Sequence, residues 1–158
     1  MARILPNKRL RFAINNHPTK EFLDEFFRAD TSKFKFEYSK LEESEIEAAN
    51  LLIRLLKPKV IIRLPEVKVP QHIKSPDFVI DGITYEVKAP KSIRQIGHRI
   101  HEGKKQIGSK GYIVMNACYC ERTLDKFIRE SIAIAGQCRV SQIYLVSDHE
   151  IRKIDIKK

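Results

Sequence analysis

The segment from Pro76 to Lys88, PDFVIDGITYEVK, decides the fold of this chain because it predicts a tight β-hairpin with a fixed register. Asp81-Gly82 is typical of two-residue hairpin turns, in which both central residues take a positive φ. Counting outward from this turn places Asp77 opposite Glu86, and side chains then alternate between the two faces of the hairpin. The apolar face carries Phe78, Ile80, Ile83, Tyr85 and Val87.

The other face of the hairpin gathers Asp77, Glu86 and Lys88. Directly opposed carboxylates have β-carbons roughly 4.5–5.5 Å apart, and their repulsion destabilises a sheet unless something compensates it. A divalent cation would do so, and hard oxygen ligands favour magnesium, manganese or calcium. Lys88 could orient an attacking water or stabilise charge on a phosphate. The alternative is a solvated polar strand face, which many antiparallel hairpins have.

The motif Pro76-Asp77 followed by Glu86-Val87-Lys88 resembles that of the PD-(D/E)XK nuclease superfamily. The resemblance implies a mixed sheet flanked by helices. It also implies that Asp77 and Glu86 hold Mg²⁺ or Mn²⁺ while Lys88 assists the hydrolytic water. The activity implied is that of a metal-dependent endonuclease, which hydrolyses phosphodiester bonds of RNA or DNA.

Three further residues are candidates by the same resemblance. A glutamate on the helix before the hairpin, expected over residues 41–56, often joins the metal site in that family. Glu47 is the first candidate here and Glu45 the second. A structural role competes for Glu47, because Ser44 three residues earlier completes a capping-box pattern. Gln106 matches a glutamine that some of these nucleases carry on the helix after the lysine strand, facing the reaction centre.

Residues 45–88, in which EIEAANLL precedes the Pro-Asp pair, resemble a narrower group. These are the C-terminal nuclease domains of contact-dependent growth inhibition and related polymorphic toxins, several of which cut transfer RNA. The likeness implies a toxin-type nuclease acting on RNA in the cytoplasm, with an acidic immunity protein as a possible partner. A DNA endonuclease, a noncatalytic nucleic-acid-binding domain and a protein-interaction module remain as alternatives.

The charge of the chain is consistent with a polyanionic partner. Thirty Lys and Arg residues against twenty Asp and Glu residues leave a net charge of +10, and such proteins gain affinity for nucleic acid by releasing condensed counterions. The helix expected over residues 92–108 carries much of this charge, although a merely solvated basic face is the alternative. Its candidate phosphate contacts are Arg94, His98, Arg99, His101, Lys104 and Lys105.

Cysteine content and hydropathy limit the cellular compartments in which the protein is expected to act. An odd set of three cysteines, Cys118, Cys120 and Cys138, favours a reducing compartment and buried thiols over disulfides or a zinc module. No apolar run approaches the ~20 residues that a bilayer span needs. We therefore expect no membrane partner, no secretory signal and a cytoplasmic site of action.

The order of elements predicts an α/β three-layer sandwich with a central mixed sheet flanked by helices, similar to restriction endonucleases. Residues 1–40 are expected to form a basic N-terminal arm and one helix that pack on a core of residues 41–158. Together they would make a single domain. Strands are expected at 60–64 or as far as 69, at 77–88 as the hairpin, and at 112–117, 142–146 and 151–156.

Overall fold

The computed structural model describes residues 15, 18–108, 111–121 and 123–156. The basic arm expected before the first helix lies outside the described residues, except for Asn15. The Asn15 N–H donates to the carbonyl oxygen of Ile61 at 2.8 Å, and its own carbonyl oxygen accepts from the Arg63 N–H at 2.9 Å. Asn15 is thereby bridged in parallel to Ile62.

The helices of the described ranges are α1 (Lys20–Phe27), α2 (Glu43–Leu56), α3 (Ile93–Ile107) and α4 (Leu124–Gln137). The strands are β1 (Lys35–Glu37), β2 (Ile61–Arg63), β3 (Glu66–Val69), β4 (Phe78–Ile80), β5 (Ile83–Lys88), β6 (Tyr112–Asn116), β7 (Gln142–Ser147) and β8 (Glu150–Asp155). Short 3₁₀ turns occupy Thr31–Lys33 and Ala117–Tyr119.

The main sheet has six strands in the order β2-β4-β5-β6-β7-β8. Its central pairs, β5 with β6 and β6 with β7, are parallel, whereas the outer pairs are antiparallel. The parallel pairs require crossovers, and α3 and α4 supply them. The predicted mixed sheet is therefore confirmed.

Helices cover both faces of this sheet. On one face, α2 packs Ala48 and Leu52 against residues such as Phe78, Tyr85 and Val87. On the other face, the apolar stripes of α3 and α4 form a second buried cluster; it includes Ile96, Ile100, Ile107, Phe127 and Ala135 with Ile113, Met115, Ile143 and Leu145. The three-layer α/β sandwich predicted from the sequence is the observed architecture.

The hairpin turn is as predicted, with φ of 46° at Asp81 and 84° at Gly82. The Asp81 carboxylate has an additional role, because its Oδ1 accepts hydrogen bonds from the N–H groups of Val60 at 2.9 Å and Lys59 at 3.1 Å. The turn residue thus also ties down the backbone that leads into β2. Sequence patterning gave no sign of this contact, which joins segments far apart in the chain.

The strand expected over residues 60–64, or as far as 69, ends at Arg63, and a separate strand begins at Glu66, beyond Pro65. β2 joins the main sheet, whereas β3 pairs with β1 in a small antiparallel sheet. Proline lacks the backbone donor that a continuing ladder needs, which explains the break. Among the described residues, no helix combines the length and the apolar character needed to cross a membrane.

Candidate active site

Asp77 lies immediately before β4 and is fixed from both neighbouring strands. Its carbonyl oxygen accepts a hydrogen bond from the Leu64 N–H at 3.1 Å, and its carboxylate Oδ2 accepts one from the Val87 N–H at 2.9 Å. In the paired register of β4 and β5, Phe78 lies opposite Tyr85, and Asp77 and Glu86 are the next residues on either side of this pair. The hairpin therefore brings the two carboxylates to one point of the sheet.

Glu86 is much more buried than a residue of a solvated strand face. Its exposed fraction is 4%, and Oε2 is a buried oxygen with no hydrogen-bond partner among the described residues. The cause is α3, which crosses this side of the sheet and packs Ile96 and Ile100 against it. Leaving a buried carboxylate oxygen unpaired is costly, so this geometry disfavours the solvated-face alternative.

Lys88 lies between two carboxylates. Its Nζ is 3.6 Å from Glu86 Oε1 and 3.6 Å from Glu102 Oε2, and only 10% of the Lys88 side chain is exposed. Glu102, on α3, also lies 2.8 Å from His98 Nε2 and 3.7 Å from Arg99 Nη1. Sequence reasoning missed Glu102; the spacing of three and four residues from Arg99 and His98 was the available signal.

The helix carboxylate nearest to Asp77 is Glu45. Glu42 caps α2, and Glu45 Oε1 accepts a hydrogen bond from the Glu42 N–H at 3.0 Å, which completes a capping box. Glu45 and Asp77 line the same cleft, and each affects the ionisation of the other. The expectation that Glu47 comes first is corrected, because residues two apart on a helix lie on nearly opposite sides of it.

Glu47 belongs to a separate cluster, in which Asn116 is buried but Cys118 is exposed, contrary to the expectation of buried thiols. Its Oε1 accepts hydrogen bonds from Asn116 Nδ2 and Cys118 Sγ, each at 3.3 Å, and its Oε2 lies 3.7 Å from His149 Nδ1. Partial burial and the bond to Glu47 raise the pKa of the Cys118 thiol to about 11. Cys118 is therefore a neutral donor at ordinary pH and lacks the character of a thiolate nucleophile.

The carboxyl groups of Asp77, Glu45 and Glu86 lie close together and are hard to ionise at the same time. Burial and repulsion from Glu86 raise the pKa of Asp77 to about 8, while burial and repulsion from Asp77 raise the pKa of Glu45 to about 8. Burial raises the pKa of Glu86 to about 7 despite the nearby charge of Lys88. Closely spaced carboxyl groups with raised pKa values are typical of functional sites.

Within the described ranges, no three His, Cys, Asp or Glu side chains are arranged so that they could hold a metal ion as they stand. Magnesium, however, commonly takes one or two protein carboxylates and completes its shell with water and substrate phosphate. The carboxylate oxygens of Asp77 and Glu86, with Glu86 Oε2 unpartnered, fit that smaller requirement.

Two clefts meet at this cluster. The first, here the lysine cleft, has a volume of about 230 Å³ and includes Glu45, Asp77, Glu86, Lys88 and Arg99. The second, here the side pocket, has a volume of about 350 Å³. Glu45 and Asp77 line both of them. The walls of the side pocket include Arg63, Glu66, His72, Lys74, Ser75 and Gln106.

The basic residues predicted to contact phosphate are spread around α3. Arg99 lines the lysine cleft, and the structure leaves Arg94, His98 and Lys105 exposed. Two others turn to the end of α4: His101 Nδ1 lies 3.5 Å from Cys138 Sγ, and Lys104 Nζ donates to the Cys138 carbonyl oxygen. The structure therefore brings only part of the predicted basic set to the cleft side of the helix.

Gln106 faces the side pocket, one turn of α3 beyond Glu102. Its Nε2 donates to the Ser75 carbonyl oxygen at 3.3 Å, while its Oε1 is buried and has no partner among the described residues. The end of α3 is held in place by Thr84 Oγ1, which donates to the Ile107 carbonyl oxygen at 2.8 Å. Gly111 is needed beside this contact, since a Cβ there would lie 2.1 Å from Thr84 Oγ1.

No protein-family model and no curated protein matches this chain. Among solved structures, the chain is similar to a CdiA-CT/CdiI toxin and immunity complex from Burkholderia pseudomallei. That similarity has 17% sequence identity, covers 90% of this chain and 98% of that chain, and has a TM-score of 0.45. A likeness this distant carries no weight for function, which has to be inferred from the site itself.

Proposed function

We propose that this protein is a metal-dependent endonuclease that hydrolyses phosphodiester bonds, with RNA favoured over DNA as substrate. The observation that carries the proposal is the juxtaposition of Asp77, Glu86 and Lys88 in one cleft, with a buried carboxylate oxygen left unpartnered. These are the residues through which the sequence resembles PD-(D/E)XK nucleases. A net charge of +10 is consistent with a nucleic-acid substrate.

Asp77 and Glu86 would hold Mg²⁺ or Mn²⁺, with Glu45 as the auxiliary carboxylate. A bound ion of this kind supplies Lewis-acid stabilisation of phosphate charge and lowers the pKa of water. Glu86 offers its unpartnered Oε2, and the Val87 N–H holds Asp77 Oδ2 in place. Loss of protons from Asp77 and Glu45, whose pKa values are both raised to about 8, would accompany binding of the ion.

Lys88 supplies a positive charge at the floor of the same cleft. With only 10% of its side chain exposed, the Lys88 ammonium group acts in surroundings where electrostatic interactions are stronger than in water. It can donate a hydrogen bond to a water or to a phosphate oxygen in the cleft. Arg99, which lines the same cleft, can neutralise a neighbouring phosphate.

The test is cleavage by the purified protein of total RNA and plasmid DNA, with and without Mg²⁺. The proposal expects fragments that appear only with the metal and disappear with a chelator. Binding that weakens steeply with salt but produces no fragments would instead indicate a noncatalytic nucleic-acid-binding domain. Preferential cleavage of plasmid DNA would instead indicate a DNA endonuclease with the same site.

A toxin role is a further proposal, supported by the resemblance of residues 45–88 to polymorphic-toxin nuclease domains. It would involve transfer RNA as substrate in the cytoplasm of the target cell and an acidic immunity protein as partner. Induced expression of the wild-type chain should then arrest growth and fragment transfer RNA, whereas the Lys88→Ala variant should do neither. Growth that continues while the wild-type chain is expressed in soluble form would contradict this role.

A further inference from the structure

Glu45 and Asp77 line both clefts. The lysine cleft lies on the side of Lys88 and Arg99, and the side pocket lies on the side of Gln106. A strand whose phosphate lies at Asp77 would therefore have one neighbouring nucleotide in each direction against a defined wall. The lysine cleft and the side pocket differ in chemistry, and the nuclease mechanism proposed above uses only the lysine cleft.

The side pocket is a recess of the size of a small-ligand site. Its volume of about 350 Å³ lies within the range of roughly 300–1,000 Å³ typical of such sites. The walls come from β1 and β3, from the loop of residues 70–76, and from one turn each of α2 and α3. A base stacked within a duplex cannot enter a recess of this kind unless it first leaves the helix.

The charges of the recess are compatible with a nucleotide. Glu37 and Glu66 contribute negative charge, but Lys68 Nζ lies 3.4 Å and 3.1 Å from their carboxylates and compensates it. Arg63 and Lys74 add positive charge to the walls. Arg63 is also positioned, since its Nη2 donates to the Ser39 carbonyl oxygen.

Gln106 gives the recess a specific recognition element. Its amide nitrogen is held by the Ser75 carbonyl oxygen, which orients the amide and leaves Oε1 as a buried acceptor without a partner among the described residues. Buried acceptors of this kind are uncommon, and each calls for a missing donor. The exocyclic amino and ring N–H groups of nucleobases are such donors, and glutamine commonly reads base edges.

We propose that the side pocket binds the base of one unpaired nucleotide next to the scissile phosphate, and that Gln106 Oε1 accepts a hydrogen bond from that base. This inference rests on the proposed nuclease function and narrows its substrate class to single-stranded, looped or flipped-out nucleotides. It also moves Gln106 from the reaction centre, where the sequence resemblance placed it, to recognition of the substrate. Unpaired bases are the usual targets of sequence-specific RNA recognition.

The experiment measures binding and cleavage separately on hairpin oligonucleotides with an unpaired loop and on matched, fully paired duplexes. Binding is measured in a chelator, so that it does not depend on cleavage, and cleavage is measured with Mg²⁺. Wild-type protein is expected to favour the loop by about tenfold or more in both measurements, since each unstacked base contributes through stacking and hydrogen bonds. Equal binding and equal cutting of loop and duplex would overturn the pocket assignment.

The role of Gln106 is tested by a double-mutant cycle with an abasic nucleotide at each loop position in turn. For wild-type protein, removing the base at one position should weaken binding by about tenfold. For Gln106→Leu, removing that base should have a clearly smaller further effect, because the hydrogen bond between Gln106 and the base has already been lost. Gln137→Leu, at the exposed end of α4, is the matched control and should behave as wild type.

Additive effects of the Gln106 and abasic changes at every loop position would overturn the proposal. If Gln106→Leu does not fold, Lys74→Gln on another wall of the pocket replaces it, with the same expected loss of loop preference. Loop preference without any cleavage would refute the nuclease function but leave the pocket assignment supported. Cleavage without loop preference would refute the pocket assignment alone.

Discussion

Lys88 Nζ lies 3.6 Å from Glu86 Oε1, and both side chains are almost fully removed from solvent. A buried carboxylate beside a buried ammonium group gains from the pairing, but desolvation makes such a pair a poor source of net stability. The second oxygen of Glu86 has no hydrogen-bond partner within the part of the chain that the structure describes. This pairing is better explained by chemistry performed in the cleft than by a structural need of the sheet.

Replacing Asp77 by asparagine should remove metal-dependent cleavage with little change of fold. The amide oxygen of asparagine can still accept the hydrogen bond that Asp77 Oδ2 receives from Val87, but the charge that would bind a cation is lost. We expect the cleavage rate to fall by about 100-fold or more, within the range for loss of electrostatic stabilisation in an active site. Glu130→Gln, an exposed change on α4, is the control and should cut as wild type.

Glu45→Gln and Glu47→Gln form a matched pair that separates the two helix carboxylates. Glu45→Gln should raise the Mg²⁺ concentration needed for half-maximal cleavage, because Glu45 lies beside Asp77. Glu47→Gln should instead destabilise the protein by about 1–3 kcal/mol, since it disturbs a buried hydrogen bond from Asn116 and a partly buried one from Cys118. Titration of cleavage with Mg²⁺ would measure the first effect, and unfolding in denaturant would measure the second. If Glu47→Gln changed the Mg²⁺ requirement and Glu45→Gln changed only stability, the roles given to the two glutamates would be contradicted.

The raised pKa values predict how the stability of the metal-free protein changes with pH. The pKa of Asp77 rises from an ordinary 3.8 to about 8 on folding, and that of Glu45 from 4.5 to about 8. The folded state therefore holds these protons more tightly than the unfolded state. The stability that this provides is fully present below about pH 4 and is lost as the pH rises through about 8.

Thermal unfolding in a chelator should show this loss as a falling Tm between about pH 5 and about pH 9. Asp77→Asn should have a shallower slope, because one of the groups responsible is gone. Mg²⁺ should raise the Tm more at the alkaline end than at the acid end, since it competes with protons for the same oxygens. Parallel Tm curves for wild type and Asp77→Asn would contradict the assignment.

Glu102 is predicted to position Lys88. Burial opposes its ionisation, but the cationic side chains around Glu102 hold its pKa below the usual value. In Glu102→Gln the Lys88 ammonium group loses one of its two anionic neighbours, and we expect kcat to fall by about tenfold. KM should stay the same or decrease, because Arg99 is freed for phosphate. Steady-state kinetics would measure kcat and KM separately. A rise in KM with unchanged kcat would contradict a positioning role for Glu102.

The hairpin could be predicted from sequence because its information is local. Asp81-Gly82 fixes the turn, and the period of two then places Asp77, Glu86 and Lys88 without reference to the rest of the chain. The mixed sheet followed in the same way from the order of strands and helices. These features depend on chemistry within one segment or on connection rules that hold for most folds.

The choice between Glu45 and Glu47 could not be made in that way. It depends on where α2 begins and how it is rotated over the sheet, and the capping residue proved to be Glu42. The cluster around Glu47 joins residues from α2, β6 and the turn after β7, so no local pattern announces it. Glu102 was missed for the same reason, because its role depends on its ion pair with Lys88, which lies on another element.

The most direct test of the central claim is the Mg²⁺-dependent cleavage rate of labelled RNA by wild-type protein and by Lys88→Gln, prepared and assayed in parallel. Circular dichroism would confirm that both are folded. We expect cleavage by the wild type that requires the metal, and a rate lower by about 100-fold or more for Lys88→Gln. Cleavage by folded Lys88→Gln at the wild-type rate would contradict it.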